Sequence, residues 1–384
     1  MINSIIPTLV IQNYIKLIKK YPDWISFAAG LPDTSVFPME LISKALLSMK
    51  DFDSKKLQYS APEILNNHVK SFMKSLGVDC NDDEILITNG AQQALSLLSL
   101  YSLKKSYKFA TEDYTYPGII NALKIYGTQS FFLPSCSKSY IDLNVVEEKS
   151  KEPQFQFLYI LTNGHNPKSY TINNSIRKSL ATLANRYGFW IIEDDPYVKL
   201  TYSIENFKAI RSWTNRSFYI GSFSKIIAPT LRIGWIVGDK TIINDLKNLK
   251  DMDDLYVQQI SHYILDKVLT NNSVEKIITP QTTLYKTKRD IFINCFNKSS
   301  INDHKIIIPQ HGIFFCIYLK KKIPSNRLEQ AMKEFKVLFI SSTAFQLNPN
   351  PYVSFIRINF SFIPKEAISI GVERLALAIN KMYN

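Results

Sequence analysis

The sequence predicts an α/β protein with a mainly parallel central sheet sandwiched by helices, followed by a smaller α/β unit. Between about residues 84 and 237, apolar runs of strand length alternate with longer segments whose apolar residues recur at helical spacing. Past about residue 240, two long helical segments come first and short strand-like runs follow. Alternation of this kind places helices on both faces of a parallel sheet and functional residues at the carboxyl ends of its strands.

The elements before residue 134 are predicted from periodicity and from helix start and stop signals. Pro62 near the start and Gly77 just past the end mark one helix. The strand at 84–88 runs into the glycine turn Asn89-Gly90, which opens the next helix. Predicted helices cover residues 8–21, 39–49, 62–76, 89–101 and 116–126, predicted strands cover 84–88, 108–112 and 129–133, and residues 25–38 are predicted to be irregular.

The remaining elements divide the chain into a large and a small unit. We place the boundary near residue 285, giving a large domain of residues 36–285, a small domain of residues 286–384, and an N-terminal segment of residues 1–35 that packs on the small domain. Predicted strands cover residues 155–161, 189–193, 218–220, 233–237, 305–308, 313–319, 337–340 and 355–360, and predicted helices cover 174–187, 241–269, 280–296, 327–335 and 366–382.

Composition favours an ordinary globular chain. The net charge is +13, but the lysines are scattered singly or in short runs, with no basic motif interleaved with aromatic residues. We therefore expect no nucleic-acid partner. No apolar run reaches the roughly 18 residues of a membrane helix, so no membrane association is expected. The four cysteines are far apart and form no CxxC pair, which argues against a metal site or a disulfide framework and favours a cytoplasmic location.

A lysine, two serines and an arginine follow one apolar strand. In the stretch Ser222-Phe223-Ser224-Lys225, the lysine comes after small hydroxyl residues, and Arg232 lies seven residues further on. A lysine so placed can hold an aldehyde as a Schiff base, while the hydroxyls and the arginine hold a phosphate. Taken alone, Lys225 is better explained as one of many surface lysines in a lysine-rich chain.

Acidic residues and a glycine turn supply the other contacts that a phosphorylated aldehyde needs. Asp194, at the end of an apolar strand, can pair with a heterocyclic nitrogen, and Tyr197 can offer its hydroxyl to a ring oxygen. A carboxylate beside a pyridine nitrogen keeps that nitrogen cationic, which makes the ring an electron sink. Gly90 and Ala91 open a helix, and a helix N-terminus favours an anion. These features point to pyridoxal 5'-phosphate (PLP).

The chain resembles the class I/II aminotransferases of the fold-type I PLP-dependent superfamily. Within them it is similar to the branch that contains kynurenine/2-aminoadipate aminotransferases and the catalytic half of MocR-type regulators. The resemblance rests on an ordered set of motifs along nearly the whole chain: residues 25–38, Leu57-Gln58-Tyr59, residues 87–95, residues 112–118, Asn166-Pro167, residues 193–197, residues 222–235 and residues 356–361.

The resemblance implies a role for each matching residue. Lys225 is similar to the Schiff-base lysine, and Arg357 to the arginine that receives the substrate α-carboxylate, with Gly30 close to the substrate. Tyr59 is similar to the tyrosine that reaches the phosphate of the neighbouring subunit, which implies a homodimer. The implied cofactor contacts are Tyr59, Gly90, Ala91, Gln92, Tyr116, Asn166, Asp194, Tyr197, Ser222, Ser224, Lys225 and Arg232, with Asn166 also near the substrate.

Several positions depart from the family pattern. The stretch Pro-x-x-x-Asn-Pro-Thr-Gly is Thr162-Asn163-Gly164-His165-Asn166-Pro167-Lys168-Ser169 here, and Tyr114 stands where proline is usual. His165 could be an additional catalytic group, although a histidine beside a motif is more often a loop residue without a role in the reaction.

Three functions remain open from the sequence. The first is transamination between an L-amino acid and a 2-oxo acid through Lys225. The second is another PLP-dependent outcome, such as decarboxylation, elimination or oxidation by O₂, which the replaced residues Lys168 and Ser169 would permit. The third is a PLP-sensing regulator, but the chain begins almost at the catalytic segment, so direct DNA binding is not expected.

Overall fold

The computed structural model describes residues 16–17, 19–51, 64–134, 140–153, 155–255, 258–270 and 272–383. The strands are β1 (Ile25–Ser26), β2 (Ile85–Thr88), β3 (Lys108–Glu112), β4 (Ser130–Leu133), β5 (Phe155–Leu161), β6 (Trp190–Asp194), β7 (Ser217–Ser222), β8 (Gly234–Val237), β9 (Ile306–Ile307), β10 (Phe314–Pro324), β11 (Val337–Leu338), β12 (Ile340–Ser341) and β13 (Tyr352–Asn359).

The longer helices alternate with these strands. They are α1 (Met39–Leu47), α2 (Asn66–Lys74), α3 (Ala91–Lys104), α4 (Pro117–Tyr126), α5 (Leu143–Lys149), α6 (Asn174–Tyr187), α7 (Lys240–Asp254), α8 (Gln259–Thr270), α9 (Val274–Lys298), α10 (Ser325–Glu334) and α11 (Ile368–Tyr383). No helix in the described ranges is long and apolar enough to cross a membrane.

A seven-stranded sheet organises the larger part of the chain. Its strand order is β2-β8-β7-β6-β5-β3-β4, and all neighbouring pairs are parallel except those made by β8. Because β8 is antiparallel to both β2 and β7, the strands β2, β3, β5, β6 and β7 all end at the same edge. Buried apolar side chains pack on both faces of the sheet. The structure confirms the predicted fold class.

A four-stranded antiparallel sheet, ordered β12-β13-β10-β9, forms the C-terminal part with α10 and α11. β13 lies between β12 and β10, so Arg357 sits on an interior strand. β1 pairs in parallel with β11, and the chain beyond β1 continues alongside β13, where the Asn359 amide donates to the Phe27 carbonyl at 2.7 Å. The boundaries at residues 35 and 285 stay predictions.

Some predicted elements were wrong in extent. The predicted strand at 337–340 is divided between β11 and β12, which belong to different sheets. The predicted helix at 280–296 begins earlier, at Val274, because the Ser273 side chain accepts from the Lys276 amide at 3.3 Å and Pro280 is accommodated within the helix. Residues 241–269 form two helices, β10 continues past residue 319 to Pro324, and α5 was not predicted.

Most of the predicted helix at 8–21 lies outside the described residues, as do Tyr59 and the predicted start of the helix at 62–76. The described part of that second helix begins at Asn66.

Candidate active site

Lys225 follows the carboxyl end of β7 and faces the N-terminal segment. Its ammonium donates to the Gly30 carbonyl at 2.8 Å, and its own carbonyl accepts from the Gln281 side chain at 2.9 Å. Burial, with smaller contributions from the charges of Arg357 and Arg232, lowers the pKa of Lys225 to about 8. A substantial share of the amine is therefore neutral near physiological pH, which a base or nucleophile requires.

Gly90 and Arg232 form a cradle at the N-terminus of α3. Gly90 has φ +76°, and a Cβ there would lie 2.7 Å from Nη2 of Arg232, so the guanidinium occupies the space that a side chain would fill. The same nitrogen donates to the Asn89 carbonyl at 3.1 Å. α3 begins at Ala91 without a side-chain cap. Uncapped amides, the helix dipole and an arginine together favour a phosphate.

Small polar side chains complete the cradle. Ser222 and Ser224 line the same cavity as Arg232, and the Ser224 amide donates to the Ser222 hydroxyl at 3.1 Å. The Gln92 side chain also lines the cavity and is oriented by donating to the Gly118 carbonyl at 3.0 Å. These groups offer an anion further donors beside the arginine.

Asp194 ends β6 with one carboxylate oxygen bonded and the other available. Oδ2 accepts from the Tyr159 hydroxyl at 2.7 Å, whereas the buried Oδ1 has no hydrogen-bond partner among the described residues. Burial raises the pKa of Asp194 to about 7. An unpartnered buried carboxylate oxygen is costly unless a ligand pairs with it. A cationic ring nitrogen would do so.

The two acids beside Asp194 stabilise the loop after β5. Side chains alternate along a strand, so Glu193 and Asp195 point to the opposite face from Asp194. There Arg177, which is fully buried, lies 3.4 Å from Glu193 and donates to Asn163 at 2.7 Å, and Asn163 in turn donates to Asp195 at 2.7 Å. Burial raises the pKa of Glu193 to about 7 and that of Asp195 to about 6. Only the middle acid of the three lines the cavity.

Two tyrosines and an asparagine surround the space next to Asp194. Tyr116, at the start of α4, and Tyr197, three residues past Asp194, both line the cavity. Burial raises the pKa of Tyr116 to about 12 and raises that of Tyr197 further, so both hydroxyls stay protonated and able to donate. The Asn166 side-chain oxygen is occupied by Arg357, at 2.8 Å from Nη1.

Arg357 is held rigidly on β13. Besides Asn166, its Nη2 contacts the Ala28 carbonyl at 2.6 Å, and its guanidinium carbon lies 4.2 Å from the centre of the Phe314 ring. Its Nε is buried and has no hydrogen-bond partner in the part of the chain that the structure describes. Burial lowers the pKa of Arg357 to about 10, so the group remains cationic at neutral pH. A buried guanidinium in a cavity is suited to a carboxylate.

All these side chains converge on one cavity of about 260 Å³. Of the residues singled out in the sequence, those that line it are Gly30, Ala91, Gln92, Tyr116, Asn166, Asp194, Tyr197, Ser222, Ser224, Lys225, Arg232 and Arg357. Gly90 is not among the lining residues but shapes the cradle from behind Arg232.

Sequence reasoning missed two contributors. Tyr159 lies on β5 within an apolar run, and the sequence does not show which residue its hydroxyl contacts. Phe314 is the first residue of β10 and belongs to no recognised sequence motif. A buried tyrosine needs a hydrogen-bond partner, and this requirement was the one available signal for Tyr159. The Phe314 ring lies against the Arg357 guanidinium and also close to Gly30, where a Cβ atom would be 3.1 Å from the ring.

His165 is buried away from the cavity. Its Nε2 lies 2.8 Å from Glu112 Oε2, and its Nδ1 accepts from the Lys168 amide at 3.1 Å. Its ring stacks on Tyr170, with centroids 4.4 Å apart. Its neighbours are therefore those of a loop residue with a structural role, and it does not reach the space between Lys225 and Arg357.

Comparison with known proteins agrees with this geometry. The family model for class I and II aminotransferases matches residues 22–375. The chain belongs to this family. The chain is therefore a PLP-dependent aminotransferase.

Three similar proteins illustrate the relationship. Aromatic-amino-acid aminotransferase 1 of Thermococcus litoralis is 29% identical, over 97% of this chain and 91% of its own length. The 2-aminoadipate transaminase of Thermus thermophilus is 25% identical, over 96% and 93%. The structure of Pyrococcus horikoshii kynurenine aminotransferase with PMP, kynurenine and its product superposes with a TM-score of 0.89 at 28% identity, covering 97% of this chain and 95% of that one.

The cavity fits PLP by two independent observations. Oδ1 of Asp194 is buried and has no hydrogen-bond partner among the described residues, and a protonated pyridine nitrogen would supply one. The glycine at residue 90 leaves room for Arg232 beside the uncapped start of α3, which matches a phosphate. The two sites lie in one cavity with Lys225.

Proposed function

We propose that this enzyme transfers the amino group of an L-amino acid to a 2-oxo acid with Lys225 as the catalytic base and the point of cofactor attachment. The observation that carries the proposal is the convergence of Lys225, Asp194 and Arg357 on one cavity. Bound there, PLP supplies an electrophilic aldehyde and an electron-withdrawing ring. The protein supplies the anchoring, the orientation and the proton transfer.

The anchoring groups divide by chemistry. Arg232, Ser222, Ser224, the Ala91 amide and Gln92 would hold the phosphate. Asp194 would hold the ring nitrogen, Tyr116 would stack on the ring, and Asn166 and Tyr197 would donate to the ring oxygen. The hydrogen bond from Tyr159 orients Asp194 and stabilises its ionised form, because a donor to a carboxylate favours the charged state.

The substrate is oriented by Arg357. Its guanidinium would receive the α-carboxylate, which places the α-carbon toward Lys225. With a pKa of about 8, the Lys225 amine can take the α-proton as a neutral base and return it from the ammonium form. The Gly30 carbonyl, 2.8 Å from Nζ, limits the directions in which that amine can point. In the complete cycle the donor leaves as its 2-oxo acid and a second 2-oxo acid leaves as an amino acid.

We infer that the preferred donors have large apolar or aromatic side chains. Apart from the groups assigned above, the described lining is apolar: Ala29, Leu31, Leu161, Pro196, Pro229 and Phe314. Of the similar proteins named above, the aromatic-amino-acid aminotransferase and the kynurenine aminotransferase act on donors with aromatic side chains, which supports the same class here.

Lys168 does not favour a different reaction outcome. Its ammonium lies 2.7 Å from Asp113, and neither Lys168 nor Ser169 lines the described cavity. The replaced residues thus add no new acid, base or oxygen-binding group beside Lys225, and transamination needs none.

We also propose a homodimer in which Tyr59 of each chain reaches the partner's phosphate site. Large apolar side chains on α1 and at the end of α7 remain exposed, most clearly Leu47 at 75% and Met252 at 79%. We expect the partner subunit to cover these side chains. A cytoplasmic location is proposed from the dispersed cysteines; Cys80, Cys295 and Cys316 are free in the described ranges.

Subunit complementation tests the dimer. Chains carrying Lys225→Ala and chains carrying Tyr59→Ala are expected to be impaired separately, while a mixed dimer contains one site with both residues intact and regains activity. Absence of recovery in verified mixed dimers would contradict the cross-subunit role of Tyr59.

The reaction is tested with the purified holoenzyme and a panel of amino donors. With phenylalanine or kynurenine and 2-oxoglutarate, mass spectrometry should find the 2-oxo acid of the donor (or its cyclised form) and glutamate in equal amounts. Aspartate should react more slowly. Release of CO₂ or consumption of O₂ in place of paired products would contradict transamination.

A further inference from the structure

Two of the residues that depart from the family pattern, Tyr114 and Lys168, contact each other. Lys168 is almost fully buried, and its ammonium lies 5.2 Å from the centre of the Tyr114 ring and 2.7 Å from Asp113 Oδ1. A cation at this distance from an aromatic face is attracted to it. Lys168 therefore joins the loop after β5 to the loop after β3.

Tyr114 extends this connection to β13. Its hydroxyl lies 3.2 Å from the Ser354 hydroxyl, and its ring packs edge-on against Phe355 with centroids 4.8 Å apart. Ser354 and Phe355 precede Arg357 by three and two residues on the same strand. Tyr114 therefore packs against the strand that carries Arg357.

The same loop makes a second contact with the C-terminal part. The Thr115 amide donates to the Phe345 carbonyl at 3.0 Å, and the Phe345 ring lies 5.1 Å from the guanidinium carbon of Arg357. On the opposite side, Nη1 of Arg357 is bonded to Asn166, two residues before Lys168. The contacts form a closed ring from Lys168 through Tyr114, β13 and Arg357 back to the Lys168 loop.

We propose that Tyr114 and Lys168 are positioning residues that hold the Arg357 guanidinium in the position and orientation required to bind the substrate α-carboxylate. Neither lines the described cavity, so each acts through β13 or through the Asn166 loop. A bidentate carboxylate contact depends on both nitrogens, and small displacements weaken it. The inference rests on the proposed role of Arg357.

Three single variants separate the links. Tyr114→Phe removes the hydroxyl next to Ser354, Ser354→Ala removes its partner, and Lys168→Met removes the charge but retains the side-chain length. Tyr187→Phe is the matched control. The Tyr187 hydroxyl, on α6, donates to Glu147, on α5, at 2.7 Å, and neither residue lines the described cavity.

The assay compares an amino acid with the amine that lacks its carboxylate, for example phenylalanine with 2-phenylethylamine. For Tyr114→Phe and Lys168→Met, KM for phenylalanine should rise about 3- to 10-fold, the range expected from losing one hydrogen bond or a comparable contact. The apparent affinity for the amine and the dissociation constant of PLP should stay within about twofold of the wild-type values. The thermal midpoint should stay within a few degrees of the wild-type midpoint. Tyr187→Phe should change none of them.

A double variant checks that the two hydroxyls act together. Tyr114→Phe combined with Ser354→Ala should raise KM no further than either change alone, because both remove the same contact. Equal losses for the amine and the amino acid, or no loss for the amino acid, would overturn the proposal.

Arg357→Gln distinguishes this inference from the proposed function. It should abolish the preference for phenylalanine over 2-phenylethylamine. If the preference survives in Arg357→Gln, the role of Arg357 is wrong. If the preference disappears there and yet Tyr114→Phe and Lys168→Met behave as wild type, the positioning role alone is wrong.

Discussion

The lowered pKa of Lys225 gives a quantitative prediction for the cofactor-free enzyme. Burial lowers this pKa from 10.5 to about 8. At pH 7.5 about a quarter of the amine is then neutral, compared with about one part in a thousand for an ordinary lysine. The buried amine should therefore react with PLP much faster near neutral pH than a solvent-exposed amine of ordinary pKa.

The assay is the rate of PLP attachment to the apoenzyme, followed by absorbance from pH 6 to pH 10.5. Butylamine run in parallel corrects for the ionisation of PLP itself. The corrected rate should level off above about pH 8. Arg357→Gln should move the midpoint upward, because the charge of Arg357 disfavours the ammonium. A rate that keeps rising tenfold per pH unit to pH 9.5 would refute the lowered pKa.

The same residue predicts a change in stability. The unfolded chain keeps the Lys225 proton up to about pH 10.5, whereas the folded apoenzyme loses it near pH 8. The free energy of unfolding therefore rises with pH between these values, by up to about 3 kcal/mol. Lys225→Met, which removes the buried charge, should stabilise the apoenzyme at pH 7 by a similar amount, and the difference should shrink toward pH 10.5. A less stable Lys225→Met apoenzyme at pH 7, measured by urea unfolding, would contradict the argument.

Three further predictions concern other parts of the site. Ser169 has φ +65°, so Ser169→Gly should raise the free energy of unfolding by about 1 kcal/mol in urea melts; a loss of stability would show that the serine is not strained. Glu112→Ala leaves the buried Tyr170 hydroxyl without its acceptor and should cost about 1–3 kcal/mol, whereas Glu152→Ala, at an exposed ion pair, should cost about 0–1 kcal/mol; a cost no larger for Glu112→Ala than for Glu152→Ala would argue against the buried contact. Asp194→Asn should slow single-turnover conversion of the donor at least about 100-fold while PLP remains bound, and near-normal rates would exclude the ring-nitrogen contact.

Local sequence patterns predicted much of the large sheet. The bounds of β3, β5 and α6 match their predictions, because apolar runs of strand length stand between polar turns and because Gly188, at φ +80°, ends α6. α5 was missed although Asp142 caps it by accepting from the Asn144 amide at 2.9 Å; the helix has seven residues, too few for a clear period. Residues 337–340 could not be divided between two sheets from sequence, because strand pairing depends on distant partners.

The order of the motifs predicted most of the cavity lining, but not the contacts behind it. Asp194 could be singled out by position, whereas the hydrogen bond from Tyr159 joins residues 35 apart and leaves no local signature. The contact between Tyr114 and Lys168 likewise depends on two loops meeting at the end of β3 and β5. Sequence alone identified both residues as departures without indicating that they touch.

The most direct test of the account is the site of covalent cofactor attachment. Borohydride reduction of the purified holoenzyme, followed by peptide mass spectrometry, should place a phosphopyridoxyl group on Lys225 and on no other lysine. In Lys225→Ala the protein should stay folded and bind PLP through the phosphate cradle, but reduction should leave the chain unmodified. A modified lysine elsewhere in the wild-type protein, or an unchanged visible absorbance band in Lys225→Ala, would contradict the account.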